Sequence, residues 1–154
     1  MRDSELVTVV AGPDLEQVRE LFGEYERSLP FDLSFQNFQD ELATLPGRYA
    51  PSTGRLLLAK CAGKPAGCVA LRQIGDGICE MKRLFVRPAF RGRGIGKALA
   101  RAIVEEGRRI GYKHMRLDTA MEPAKSLYKS LGFREIPPYQ QVPVEGVVFM
   151  ELEL

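Results

Sequence analysis

The stretch from Ile78 to Gly111 constrains this chain more than any other. It opens as an apolar run with strand character, Ile78 to Val86, and Pro88 closes that run. Arg91-Gly92-Arg93-Gly94-Ile95-Gly96 then places three glycines in six positions. Beyond them Ile95, Leu99, Ala102, Ile103 and Ile110 recur at helical spacing. That periodicity predicts a long helix with one buried stripe, ended by Gly111. Met115, Leu117 and Thr119 alternate next, as strand residues do. Strand, glycine-rich turn, helix and strand in this order form a crossover within one sheet. A chain carrying that unit is α/β.

The flanking segments fill in the sheet. Residues 5–10 read as a first strand. Pro13 suits the first position of a helix that carries Leu15, Val18, Leu21, Phe22 and Tyr25 and runs to Arg27. Ser34 can cap a second helix with Phe35, Phe38, Leu42 and Leu45 on one face, ended by Pro46-Gly47. Strands at 55–61, 66–73 and 78–86 are separated by turns at Gly63-Lys64-Pro65 and Gly75-Asp76-Gly77, so they are antiparallel neighbours. Ala124, Leu127, Tyr128 and Leu131 make a short helix stopped by Gly132. At the end Val148, Met150, Leu152 and Leu154 share one face, with Val147 and Phe149 on the other. The expected fold is α/β with a mixed central sheet: antiparallel N-terminal strands, then a β-α-β crossover carrying the glycine loop. The 154 residues are expected to form one domain, 1–154.

Charge is unevenly spread along this chain. Its 22 basic and 20 acidic residues nearly cancel. Yet residues 82–134 hold 14 basic against 4 acidic side chains, and residues 1–50 hold 4 against 10. One third of the chain is therefore strongly cationic, and this segment needs a reason. Nucleic acid is a poor fit, since no reading motif or interleaved exposed aromatics accompany the charge. Cys61, Cys68 and Cys79 are odd in number and form no CxxC pair, and His114 is the single histidine. A disulfide framework or a metal site is not expected. Cys68 and Cys79 read as strand packing, and His114 as a surface residue. No charged-then-apolar leader is apparent, and the apolar runs fall short of the ~18 residues of a membrane helix. A soluble cytoplasmic protein without membrane contact is the expectation.

A glycine-rich loop between a strand and a helix is suited to anions. The first helical N–H groups lack intrahelical partners, and glycine lets backbone approach the ligand. Arg91, Arg93 and Lys97 add charge beside those amides. The nucleoside-triphosphate loop requires Ser or Thr after Gly-Lys, whereas Ala98 follows Gly96-Lys97, and Arg91 stands where its first glycine belongs. The dinucleotide fingerprint also fails, at Lys97 or Leu99 according to the glycine chosen as first.

Arg91-x-x-Gly94-x-Gly96 resembles the R/Q-x-x-G-x-G/A motif of the GNAT superfamily of N-acetyltransferases. The resemblance extends from Glu80 to Ile136. It includes Glu-Met-Lys-Arg-Leu-Phe-Val-Arg-Pro before the loop and Ala124-x-x-Leu127-Tyr128-x-x-x-Gly132-Phe133 after it. It implies a GNAT-like fold with acetyl-coenzyme A as co-substrate and no metal. The amides of Arg91, Gly92, Arg93, Gly94, Ile95, Gly96 and Lys97 would hold the pyrophosphate. The backbone of Leu84, Phe85 and Val86 would pair with the pantetheine arm, where the strand splays from its neighbour. Tyr128 matches the tyrosine that protonates the leaving thiolate, although its apolar stripe also suits a core residue. Glu80 matches the general base of some branches, with Asp118 and Glu122 as alternatives. A strand glutamate near Lys82 and Arg83 is equally suited to an ion pair. Met121 stands where many members have an asparagine that orients the coenzyme.

These residue types suit amine acetylation. An alkyl ammonium with a pKa of about 10.4 needs a base before it can attack, and a phenol can return a proton to a thiolate. Both substrates would be bound together, so no enzyme nucleophile is needed. The expected activity is transfer of acetyl to a primary amine of a small molecule or peptide. A coenzyme-binding module without activity is the competing reading. Arg83 and Arg87 are expected on coenzyme phosphates or in solvent. Glu24, Glu26 and Asp32, where the first two helices join, suggest a cationic acceptor, and ordinary solvated helix faces explain the same charges equally well. Dimers are common in the superfamily, which allows a homodimer.

Overall fold

The computed structural model describes residues 4–33 and 37–154. Ser34 and Phe35, assigned above to a helix start, lie outside them. Seven strands form one sheet: β1 (Ser4–Thr8), β2 (Arg55–Cys61), β3 (Lys64–Gly75), β4 (Ile78–Val86), β5 (His114–Thr119), β6 (Arg134–Ile136) and β7 (Val148–Glu153). The order across the sheet is β1-β2-β3-β4-β5-β7-β6. Only the β4–β5 pair is parallel, and the other neighbours are antiparallel. Helices α1 (Pro13–Ser28), α2 (Phe38–Thr44), α3 (Ile95–Ile110) and α4 (Glu122–Ser130) cover the sheet.

Several boundaries follow local chemistry. The first hairpin turns on Ala62 and Gly63, both with positive φ, so Lys64 and Pro65 belong to β3 rather than to the turn. Positive φ at both central residues gives the twist that a two-residue hairpin requires. β1 stops at Thr8, although the Val9 N–H still donates to the Leu56 carbonyl at 2.9 Å. The three-residue β6 had no periodic signal and exists only as an edge paired to β7. His114 is half-buried at the start of β5, opposite Ile78 and Glu153, rather than on the surface.

Two apolar layers hold the sheet from opposite faces. α3 places Ile95, Leu99, Ala100, Ile103 and Val104 on Leu57, Val69, Leu71, Cys79, Met81 and Met115. α1 places Leu15, Val18, Leu21 and Phe22 on Leu56, Leu58, Cys68 and Phe85, with Phe38 of α2 and Tyr49. Cys68 and Cys79 are buried thiols in strands, one in each layer. Ala102 and Ile110 only edge the first layer, because the contact stripe on α3 is centred on Leu99–Ile103.

One irregularity in β4 shapes the molecule. Lys82 pairs with Ala70 but Phe85 pairs with Cys68, so β4 carries one residue more than β3 across this span. Arg83 has φ of 61°, the left-handed region. The extra residue is a β-bulge, and a one-residue slip exchanges the two faces of a strand. Met81 accordingly faces the α3 layer while Phe85 faces the α1 layer. Regular alternation would put both on the same side. Pairing of β4 with β5 covers Ile78–Glu80 and His114–Arg116 only, after which the two strands part.

Candidate active site

The parted strands open a cleft. One wall is β4 from Met81 to Leu84, and the other is 118–121 at the end of β5. Leu29, Phe31 and Leu33 after α1, Ala124 and Tyr128 of α4, and Val142 and Val147 from the segment before β7 complete it. The enclosed cavity is narrow, ≈ 80 Å³. Among the lining residues Asp118 is the sole carboxylate, and Lys82 and Arg83 are the cations.

Arg83 is held from several sides. Its Nε and Nη2 donate to Glu41 Oε2 and Oε1 of α2 at 2.9 and 3.0 Å, and its guanidinium lies over the rings of Phe38 and Tyr25 at 5.1 and 5.9 Å. Left-handed backbone at a non-glycine residue costs on the order of 1–3 kcal/mol, and the buried bidentate pair offsets it. Burial by itself would lower the Arg83 pKa, but the hydrogen bonds and charge of Glu41 raise it instead. Arg87 donates to Glu24 at 2.9 and 2.7 Å and meets Glu20 at 3.4 Å. Arg83 and Arg87 are therefore engaged by acids of the N-terminal helices. The same pairs account for part of the charge imbalance between the two regions. Glu24, Glu26 and Asp32 do not line the cleft.

Tyr128 comes to the cleft from α4, with its ring edge-on to Phe133 at 5.8 Å. The phenol makes no hydrogen bond among the described residues. Burial, with the Tyr25 and Asp118 charges, pushes its pKa up, so it carries its proton at neutral pH.

Glu80 lies in β4 just before the cleft and does not line it. It is fully buried. Arg72 of β3 donates from Nε to its Oε1 at 2.9 Å, with Nη2 at 2.8 Å, and Tyr139 donates to its Oε2 at 2.6 Å. Burial alone would raise the carboxyl's pKa. The charges of Lys82 and Arg72, with the Tyr139 and Arg72 hydrogen bonds, hold it below the usual glutamate range instead. Its ion pair is with Arg72 across the hairpin, where Lys82 and Arg83 were the sequence neighbours considered. Glu122 opens α4 and pairs with Lys125 at 3.0 Å, away from the cleft lining. Met121 precedes α4, and its N–H donates to Thr119 Oγ1 at 3.2 Å.

The glycine loop enters α3 as its residue types require. Gly94 is the N-cap in left-handed conformation, φ 79°, and Gly92 also has positive φ. The amides of Gly92 through Lys97 make no hydrogen bond among the described residues, as at any helix start. Arg91 donates to the Val86 carbonyl at 3.0 Å and lies 5.9 Å over Phe85, and Arg93 lies 5.4 Å over Phe90. None of Arg91, Arg93 and Lys97 forms an ion pair among the described residues. Leu84 to Val86 have no β5 partner on their open edge. Exposed amides, uncompensated cations and an open strand edge together fit a pyrophosphate with an extended amide-bearing arm.

Sequence reading did not find the segment 137–147, whose Tyr139 and Gln140 reach Glu80 and Asp118. Its one local signal is Pro137, Pro138 and Pro143, which stiffen the backbone without indicating a target.

A sequence model of the acetyltransferase (GNAT) family matches residues 15–133. The chain belongs to this family. It is 43% identical over 145 residues to an uncharacterized N-acetyltransferase of Schizosaccharomyces pombe, covering 92% of this chain and 89% of that one. An acetyltransferase of Streptococcus agalactiae shares the fold with a TM-score of 0.81 at 21% identity, over 100% of both chains. A protein of Salmonella typhimurium, solved with its cofactor acetyl-CoA, shares it with a TM-score of 0.70 at 22% identity, over 98% of this chain and 94% of that one. The chain is thus an acetyltransferase with the mixed sheet and single parallel crossover expected for it. Among the described residues no helix is long and apolar enough to cross a membrane.

Proposed function

We propose that residues 1–154 form one catalytic domain that transfers acetyl from acetyl-coenzyme A to the primary amine of a small molecule or peptide, with both substrates bound together. The observation that carries this reading is the Tyr128 phenol. It is buried, protonated and without an internal hydrogen-bond partner, and it faces a cleft that opens where β4 parts from β5. An internal role in packing would leave the hydroxyl paired or remote from a cleft.

In this reading the co-substrate supplies an activated acyl thioester. The Arg91 amide donates to the Pro88 carbonyl at 3.3 Å, so the amides of residues 92–97, with the side chains of Arg91, Arg93 and Lys97, hold its pyrophosphate, and the open edge of Leu84–Val86 aligns its arm. Tyr128 returns a proton to the leaving sulfur. A carboxylate at the cleft takes the proton that an ammonium must lose before attack. The apolar lining from Leu29, Phe31, Leu33, Val142 and Val147 favours an amine on an apolar body over a polycation. Met121 in place of the common asparagine leaves that orienting contact to other residues.

Isothermal calorimetry with acetyl-coenzyme A, followed by thiol release across an amine panel, tests the proposal. Micromolar binding and turnover with at least one amine are expected. Absence of binding at millimolar ligand would sink it. Tight binding with no turnover for any amine would leave a coenzyme-binding module.

A further inference from the structure

The segment 137–147 makes one hydrogen bond to an acid of the cleft and one to an acid just before it, and these two bonds separate the carboxylates. Gln140 Nε2 donates to Asp118 Oδ2 at 3.0 Å. Tyr139 donates to Glu80 Oε2 at 2.6 Å. The Tyr139 ring is further fixed by the Arg116 guanidinium 5.1 Å over it and by Phe149 edge-on at 5.0 Å. Arg116 itself is anchored to Glu151 at 2.8 Å. We infer that Asp118, oriented by Gln140, is the carboxylate that takes the amine's proton, and that Glu80 instead fastens the segment that delivers Gln140. This inference rests on the acetyltransferase reading of the cleft.

Access and occupancy separate the two acids. Asp118 lines the cleft beside Tyr128, and Glu80 does not. Gln140 engages one oxygen of Asp118, which leaves Oδ1 for an ammonium. Both oxygens of Glu80 are occupied, Oε1 by Arg72 and Oε2 by Tyr139. Protonating Glu80 would break the phenol's donation and strip Arg72 of its partner in a buried setting, which is strongly unfavourable. Protonating Asp118 at Oδ1 leaves the Gln140 bond in place. The stiffness given by Pro137 and Pro138 lets an anchor at Tyr139 fix the residue that follows it.

The protons balance. The amine arrives as R–NH3+ and gives one proton to Asp118. The C–N bond forms as the C–S bond breaks. The sulfur takes the Tyr128 proton, and the second nitrogen proton restores Tyr128. Asp118 then releases its proton to solvent. The products are one amide, one thiol and one proton. The charged and titratable groups facing Asp118 are Lys82 and Arg83 of β4, Tyr25 of α1, Tyr128 of α4 and Tyr139. None is a carboxylate, so Asp118 and Glu80 are the two acids that the variants must separate.

The test is the pH profile of kcat/KM by thiol release, with coenzyme affinity measured by calorimetry for each variant. Asp118→Asn is expected to lose about 10²–10⁴-fold in kcat/KM together with the acidic limb, with coenzyme affinity unchanged. Gln140→Leu is expected to lower kcat about tenfold with the limb retained. Tyr139→Phe keeps the ring and removes the donor, and should raise the acceptor KM severalfold with the limb intact. Glu80→Gln should keep the limb. A retained limb in Asp118→Asn, or its loss in Glu80→Gln, overturns the assignment while the acetyltransferase reading stands. Should Glu80→Gln not fold, the Asp118→Asn and Tyr139→Phe profiles decide. Wild-type protein that binds coenzyme but turns over no amine overturns both.

Discussion

The glycine loop, residues 91–97, and the outer wall of the cleft are built from different materials. The loop offers backbone amides from six consecutive residues, Gly92 to Lys97, and its geometry is set by glycines within it. The outer wall collects side chains from α1 and the residues after it, β4, β5, α4 and the segment 137–147. Its fastenings span long separations: Arg83 to Glu41 across 42 residues, Tyr139 to Glu80 across 59, Gln140 to Asp118 across 22. A backbone site survives most side-chain changes and fails when a φ angle is denied. A side-chain site fails wherever one partner is removed. That difference gives the molecule one half set by backbone and another set by side-chain partners.

Breaking one half while sparing the other sharpens the contrast, and the largest effect belongs to a residue of the cleft. Tyr128→Phe should reduce kcat by about 10²–10⁴-fold and leave acetyl-coenzyme A affinity within about twofold. Steady-state rates and calorimetry on the same sample check it, and unchanged turnover would remove Tyr128 from the chemistry. Next, Glu41→Ala leaves the buried Arg83 guanidinium without its bidentate partner. A destabilisation of about 3 kcal/mol is expected in denaturant unfolding, since removing one partner of a buried pair costs about 3–5 kcal/mol. Because the bulge loses its clamp, acceptor KM should also rise, with the loop's coenzyme affinity little changed. Gly94→Val acts on the other half alone. A β-branched residue at φ 79° is strained, while its Cβ would meet nothing within 4 Å. Coenzyme affinity should fall about tenfold and stability by about 1–2 kcal/mol.

The smallest effect is on acid stability. Glu80 has a depressed pKa in the folded protein, so the unfolded chain binds more protons between the folded and unfolded pKa values. Its contribution is complete above the ordinary glutamate range near ~4.3 and is lost as pH falls through the lower folded value. Urea unfolding between neutral pH and pH ~3 should show this loss in the wild type and a flatter dependence in Glu80→Gln. Identical slopes would show that the Arg72–Glu80–Tyr139 cluster does not couple to protonation.

Legibility differed between the halves for the same reason. α3 was bounded at Ile95 and Gly111 by periodicity and a C-terminal glycine, and the structure has it from Ile95 to Ile110. β2 and β4 match their expected spans because their turns lie next to them in sequence. The bulge at Arg83 was not legible. No glycine marks its positive φ, and what stabilises that conformation is Glu41, far away in sequence. Arg87 looked available for phosphate until Glu24 and Glu20 were brought to it. Glu80 looked like a residue near Lys82 and Arg83, and it is tied to Arg72 and Tyr139.

By itself the sequence determined the crossover unit, the helix start that bares its amides, the run of cations around it and the family. All of these depend on φ preferences and periodicities within a few residues of one another. Only the tertiary structure decided which cations remain available, where β4 parts from β5, and that Asp118 rather than Glu80 lines the cleft. Those outcomes depend on which charges meet across the sheet. Burial makes such pairings strong, and chain separation keeps them out of any local pattern.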